Sequence, residues 1–117
     1  MTSKEKVKII YNALDDKMAV DIKIIEISKI SILADYFIIA GGKNKNHIQS
    51  LSDFVQQDLA KEKEYPKQIE GYNTASWILM DYGDVIVHIF SEEDRLFYDI
   101  EKIWSDGQNI EPDKLSD

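Results

Sequence analysis

The sequence predicts an α/β fold: a single domain in which a mixed β-sheet of about five strands carries helices packed on it, in the order α-β-β-α-β-β-β-α. Apolar residues recur at spacings of three and four in three separate segments, as the inward faces of helices do. Short apolar runs such as Tyr36 to Ala40 and Val85 to Phe90 read as strands, and Tyr36 to Ala40, apolar on both faces, suits the middle of a sheet. The two kinds of segment interleave along 117 residues, a length that supports one core rather than two.

The first helix runs from Thr2 to about Lys17, with Val7, Ile10, Tyr11, Leu14 and Met18 on one face, and Thr2 with Glu5 reads as its capping box. Val20 to Ile27 begins with Val20, Ile22 and Ile24 alternating against Asp21 and Lys23, the pattern of a half-buried strand. Tyr36 to Ala40 is the central strand, broken by Gly41-Gly42. Asn44 or Asn46 then caps a second helix that turns Ile48, Leu51, Val55 and Leu59 inward and ends before Tyr65-Pro66. A short strand at Lys67 to Ile69 and a turn at Gly71 lead into two strands, Trp77 to Met80 and Val85 to Phe90, joined by Asp81-Tyr82-Gly83-Asp84. Ser91 and Asp94 resemble another capping box, opening a third helix with Leu96, Phe97, Ile100, Ile103 and Trp104 as its inward stripe. The tail beyond Gly107 is polar and contains Pro112, so the domain is expected at residues 1–106 and a loosely held tail at 107–117.

Composition excludes several classes of function. Hydrophobic residues at 44% and charged residues at 31% describe an ordinary globular protein. No run approaches the roughly 20 apolar residues of a membrane-spanning helix, and the first residues lack the apolar stretch of an export signal, so a cytoplasmic location is expected. The absence of cysteine removes disulfides and thiolate chemistry, and two histidines are too few for a typical zinc site. A net charge of −8 disfavours phosphate-driven binding to nucleic acid and fits a basic protein partner better. The same acidity also serves solubility alone.

The hairpin is the strongest functional candidate. With Tyr82-Gly83 as a two-residue turn, Asp81 faces Asp84, Met80 faces Val85, Leu79 faces Ile86, Ile78 faces Val87 and Trp77 faces His88. Ile78, Met80, Val85 and Val87 then pack on one side, and Trp77 and His88 share the other. That pair reads either as an anchor surface or as core, and on pattern alone a strand tryptophan is more often core. Asp81 and Asp84 suit turn formation better than magnesium binding, and His47 reads as exposed. Gly41-Gly42 lacks both phosphate-binding and dinucleotide-binding motifs, leaving Lys43 and Lys45 as solvated charges. No catalytic residue, metal site or cofactor is expected.

Two stretches carry a family resemblance. Leu33-Ala34-Asp35-Tyr36-Phe37-Ile38-Ile39-Ala40-Gly41 resembles the LADYF strand of the bacterial ribosomal silencing factors, also called the Iojap family. Glu70-Gly71 and the run from Trp77 to Phe90, WILMDYGDVIVHIF, resemble that family's EG and W-x-L-x-D-Y-G-D-V-V-V-H-V-F pattern, and Arg95, Tyr98, Asp99, Ile100, Glu101 and Trp104 continue it. The likeness covers roughly residues 4–106. It implies a translational repressor that binds the large ribosomal subunit through ribosomal protein fourteen and sterically blocks joining of the small subunit under nutrient limitation, with rRNA only peripheral and a homodimer as a further state. It implies a binding surface of Trp77, Asp81, Tyr82, Asp84, His88 and Phe90, with Glu70 and Gly71 beside them and Asp35 and Tyr36 helping to shape it. The family's fold resembles nucleotidyltransferases, so a magnesium-dependent enzyme is the alternative, although no Asp-x-Asp pair follows Gly41-Gly42 and Asp53 and Asp58 fall on the second helix. A simple dimerisation module is the third reading.

Overall fold

The first helix starts where the capping box places it. In the computed structural model, which describes residues 1–29, 31–94 and 108–111, Thr2 caps α1 (Ser3–Asp16). Glu5 N donates to Thr2 Oγ1 at 3.1 Å, and Thr2 N donates to Glu5 Oε1 at 2.9 Å. Val7, Ile10, Ala13 and Leu14 form its buried face. Met18, expected on that face, is 68% exposed, because the helix stops first and the backbone turns through a positive φ of 63° at Met18.

Then follow β1 (Val20–Glu26), β2 (Tyr36–Gly42), α2 (Lys45–Ala60), β3 (Gln68–Glu70), β4 (Trp77–Asp81), β5 (Val85–Ser91) and β6 (Gln108–Asn109). Their spatial order is β3-β4-β5-β2-β1-β6, with β2 and β5 parallel and the other neighbours antiparallel. The sixth strand comes from the segment expected to be tail. It pairs with β1, and Ile110 N beyond it donates to Ile24 O at 2.9 Å.

Strand β2 lies at the centre and every residue in it is buried. Tyr36, Ile38 and Ala40 face the core under α1 and α2, while Phe37 and Ile39 belong to a second apolar cluster on the opposite face. That is why the segment reads as apolar on both sides. Gly41-Gly42 does not break the strand: both glycines pair with β5, opposite Phe90 and Ser91. Asn44 caps α2, its Oδ1 accepting from His47 N at 2.8 Å. Ile48, Leu51, Val55 and Leu59 then point inward as expected. Asp94 N donates to Ser91 Oγ at 3.2 Å, the bond that the third expected cap requires. The expected third-helix stripe of Leu96, Phe97, Ile100, Ile103 and Trp104 lies outside the described residues.

Candidate partner-docking face

The β4–β5 hairpin closes two residues away from the expected register. Its Cα partners are Asp81↔Ile86, Met80↔Val87, Leu79↔His88, Ile78↔Ile89 and Trp77↔Phe90. Tyr82 N donates to Val85 O at 3.0 Å, so Gly83 and Asp84 form the tip rather than Tyr82 and Gly83. Two local causes decide this. Gly83 takes a φ of +88°, which glycine adopts without steric cost, and Asp81 Oδ1 accepts from Gly83 N at 2.7 Å, a side-chain turn that sets where the ladder ends.

A shift of two residues leaves every side chain on its expected face, since strand side chains alternate with period two. Ile78, Met80, Val85, Val87 and Ile89 are fully buried in the core shared with α1 and α2. Residues opposite one another across the ladders share a face, so the other side of β3–β5 carries Gln68 and Glu70, then Trp77, Leu79 and Asp81, then Ile86, His88 and Phe90.

The eight residues implied by the family resemblance are not equivalent within this arrangement. Trp77 and Asp81 are half-buried and Glu70 is exposed on the sheet face. Tyr82 is 4% exposed and belongs to the opposite, helix-covered core, because its position follows Ile78 and Met80 in the alternation. Burial pushes its hydroxyl up to about 12. Phe90 is fully buried beneath Trp77, with ring centroids 5.0 Å apart and planes at 24°. His88 is 3% exposed, and Trp77 Nε1 donates to its Nδ1 at 3.1 Å. The His88 ring also meets Phe37 edge-on at 4.9 Å. Burial pulls its pKa down to about 4, so the ring is neutral at neutral pH.

Asp84 faces inward along the hairpin end. Its Oδ1 accepts from Lys6 Nζ at 2.8 Å, and Glu64 lies 3.6 Å from the same ammonium. Burial alone would lower the lysine pKa, but the hydrogen bond and charge of Asp84, helped by Glu64, outweigh it and hold the pKa above the ordinary lysine value. The Asp84 carbonyl accepts from Asp35 N at 2.7 Å and Tyr36 N at 3.2 Å, tying the hairpin tip to the start of β2. Gly71 is likewise structural. It has a φ of +80°, and a Cβ there would lie 2.1 Å from Trp77 O. The loop it opens is held to α2 by Tyr72 Oη, which donates to Asp53 at 3.0 Å and 3.2 Å, and by Gln49 Nε2, which donates to Tyr72 O at 2.9 Å.

Two residues missed by the sequence reading complete the face. Leu79 and Ile86 are half-buried there, Leu79 between Trp77 and Asp81 along β4 and Ile86 opposite Asp81 on β5. The signal was the alternation itself, which puts both on the tryptophan side. His47, expected to be simply exposed, is half-buried and joins the helices: Lys43 N donates to its Nδ1 at 2.9 Å, and its Nε2 lies 2.8 Å from Lys17 O. Among the described residues no three His, Asp or Glu side chains gather as a metal site, and no helix is long and apolar enough to cross a membrane. The carboxylate of Asp53 is engaged by Tyr72 and that of Asp58 by Lys61 at 3.3 Å.

The family model described as "ribosomal silencing factor during starvation" matches residues 1–117. The chain is 37% identical over 107 residues to the ribosomal silencing factor of Bacillus subtilis, covering 92% of this chain and 91% of that protein. It is 33% identical over 111 residues to the ribosomal silencing factor of Halalkalibacterium halodurans, covering 95% of each. A Chromobacterium violaceum protein of known crystal structure has the same fold, with a TM-score of 0.88, 32% identity, and coverage of 95% of this chain and 92% of that one. A match along the whole sequence, with the signature hairpin formed and this fold shared, makes the chain a member of the ribosomal silencing factor family.

Proposed function

We propose that the chain represses translation by docking the exposed side of β3–β5 onto ribosomal protein fourteen of the large ribosomal subunit, so that the small subunit is sterically kept from joining when nutrients are scarce. The role is non-catalytic and cytoplasmic, and rRNA is met only at the margin. The observation that carries this reading is a strip of half-buried apolar residues, Trp77, Leu79 and Ile86, flanked by the acids Glu70 and Asp81 on a chain of net charge −8. An amphipathic ring at one end of such a strip, half-buried, has the character of a binding hot spot. Acids around it suit a basic ribosomal protein, speeding encounter and selecting orientation more than adding affinity. Phe90, His88 and Gly71 support Trp77 from below and behind, and Asp84 and Tyr82 hold the hairpin end.

Co-sedimentation with purified large subunits, with and without small subunits, tests this. Binding to large subunits is expected, with fewer joined ribosomes formed. Trp77→Ala is expected to weaken binding by ~2 kcal/mol, about 30-fold, while the protein stays folded. Wild-type affinity in a folded Trp77→Ala protein would remove the face from contention. Self-association through the same face would appear as competition between dimer formation and subunit binding.

A further inference from the structure

We infer that His88 is a positioning residue for Trp77: its Nδ1 accepts the indole N–H and so fixes which edge of the ring the docking face presents. The inference rests on the reading of that face given above.

The two residues are not cross-strand partners, since Leu79 stands opposite His88 and Trp77 stands opposite Phe90. The indole therefore reaches diagonally to meet the imidazole, at 3.1 Å between Nε1 and Nδ1. Phe90 beneath it, stacked at 5.0 Å, holds the plane of the ring but does not distinguish one edge from the other. Indole has a single donor, and a bond from that donor to a buried acceptor makes the distinction. A ring turned over about its side-chain axis would lose this bond and leave the Nδ1 lone pair without it.

The second observation is the cost of having histidine there. Indole is a donor only, so Nδ1 carries the lone pair, and in the neutral ring the proton sits on Nε2. Nε2 is buried and has no hydrogen-bond partner among the described residues. Phe37, Trp77 and Phe90 surround the imidazole with rings. An apolar side chain of similar size would avoid an unsatisfied buried donor, which is a destabilising feature. What the imidazole supplies in that pocket, and a leucine would not, is the acceptor for Trp77. A preordered anchor loses less rotamer freedom on docking, so the bond favours binding rather than folding.

The test uses the full chain as wild type, His88→Leu, which fills the space without an acceptor, and His88→Asn, whose Oδ1 stands near the position of Nδ1. Nitrogen-15 NMR reads the Trp77 indole N–H, assigned by its loss in Trp77→Phe, and the imidazole tautomer; co-sedimentation reads large-subunit binding. In the wild type Nδ1 is expected to be unprotonated at neutral pH. In His88→Leu the indole signal is expected to move and exchange faster, with binding falling about tenfold, and His88→Asn is expected to recover most of both. A protonated Nδ1 in the wild type, or an unmoved indole signal in His88→Leu, would overturn the inference. So would wild-type binding by His88→Leu alongside a defective Trp77→Ala. If His88→Leu does not fold, the wild-type tautomer and the recovery by His88→Asn decide the matter. Wild-type binding by Trp77→Ala would instead overturn the docking reading and this inference with it.

Discussion

Acidification from about pH 7 to about pH 4.5 is expected to destabilise the fold by ~3 kcal/mol through His88 alone. The imidazole is 3% exposed, and its burial lowers the pKa from 6.5 to about 4. Between those values the unfolded chain takes up a proton that the folded chain excludes. Stability therefore rises with pH across this window and is lost as pH falls through it; above about pH 6.5 the group contributes no pH dependence. Each pH unit inside the window is worth ~1.4 kcal/mol, and two units separate about 6.5 from about 4.5. Urea denaturation followed by far-ultraviolet circular dichroism, repeated at several pH values, gives the wild-type loss. His88→Leu gives the background, because His47 and the carboxylates are present in both proteins and cancel in the difference. The wild type is expected to lose ~3 kcal/mol more than the variant. Equal losses in the two proteins would refute the argument that a neutral, desolvated imidazole sits under Trp77.

Gly71→Ala is expected to destabilise by ~1–3 kcal/mol in urea denaturation, since the added Cβ would strike Trp77 O in a backbone of positive φ; subunit binding is expected to weaken as well, because the strain falls on the anchor residue. Asp84→Ala is expected to cost more stability than Lys6→Met, ~2–3 against ~1 kcal/mol. The first leaves an ammonium that is 11% exposed with Glu64 as its remaining carboxylate partner among the described residues, whereas the carboxylate left by the second is 31% exposed and reaches water. Thr2→Ala removes the capping box of α1 and is expected to cost ~1 kcal/mol, read as a lower urea midpoint with an unchanged slope.

Residue alternation and helical spacing determined which segments form α1, α2, β2 and the hairpin, and which face each hairpin residue takes. The faces do not depend on the two-residue difference in register, because slipping a strand pair by two residues exchanges no faces. The register itself depended on which residues could close the turn, and the positive φ of Gly83 and the Asp81 side chain settled it. Burial was not legible either. Trp77, His88 and Phe90 lie on one face and look alike in the alternation, yet only Trp77 keeps partial exposure, because Phe90 stacks beneath it and β2 runs beside β5. Asp84 reads as a turn former in the sequence, and only the fold brings it to Lys6, 78 positions away. Strand β6 pairs with β1 across most of the chain and consists of Gln108 and Asn109, which no local pattern marks as a strand. Local periodicity reports the direction a side chain points, and only tertiary packing decides what it meets there.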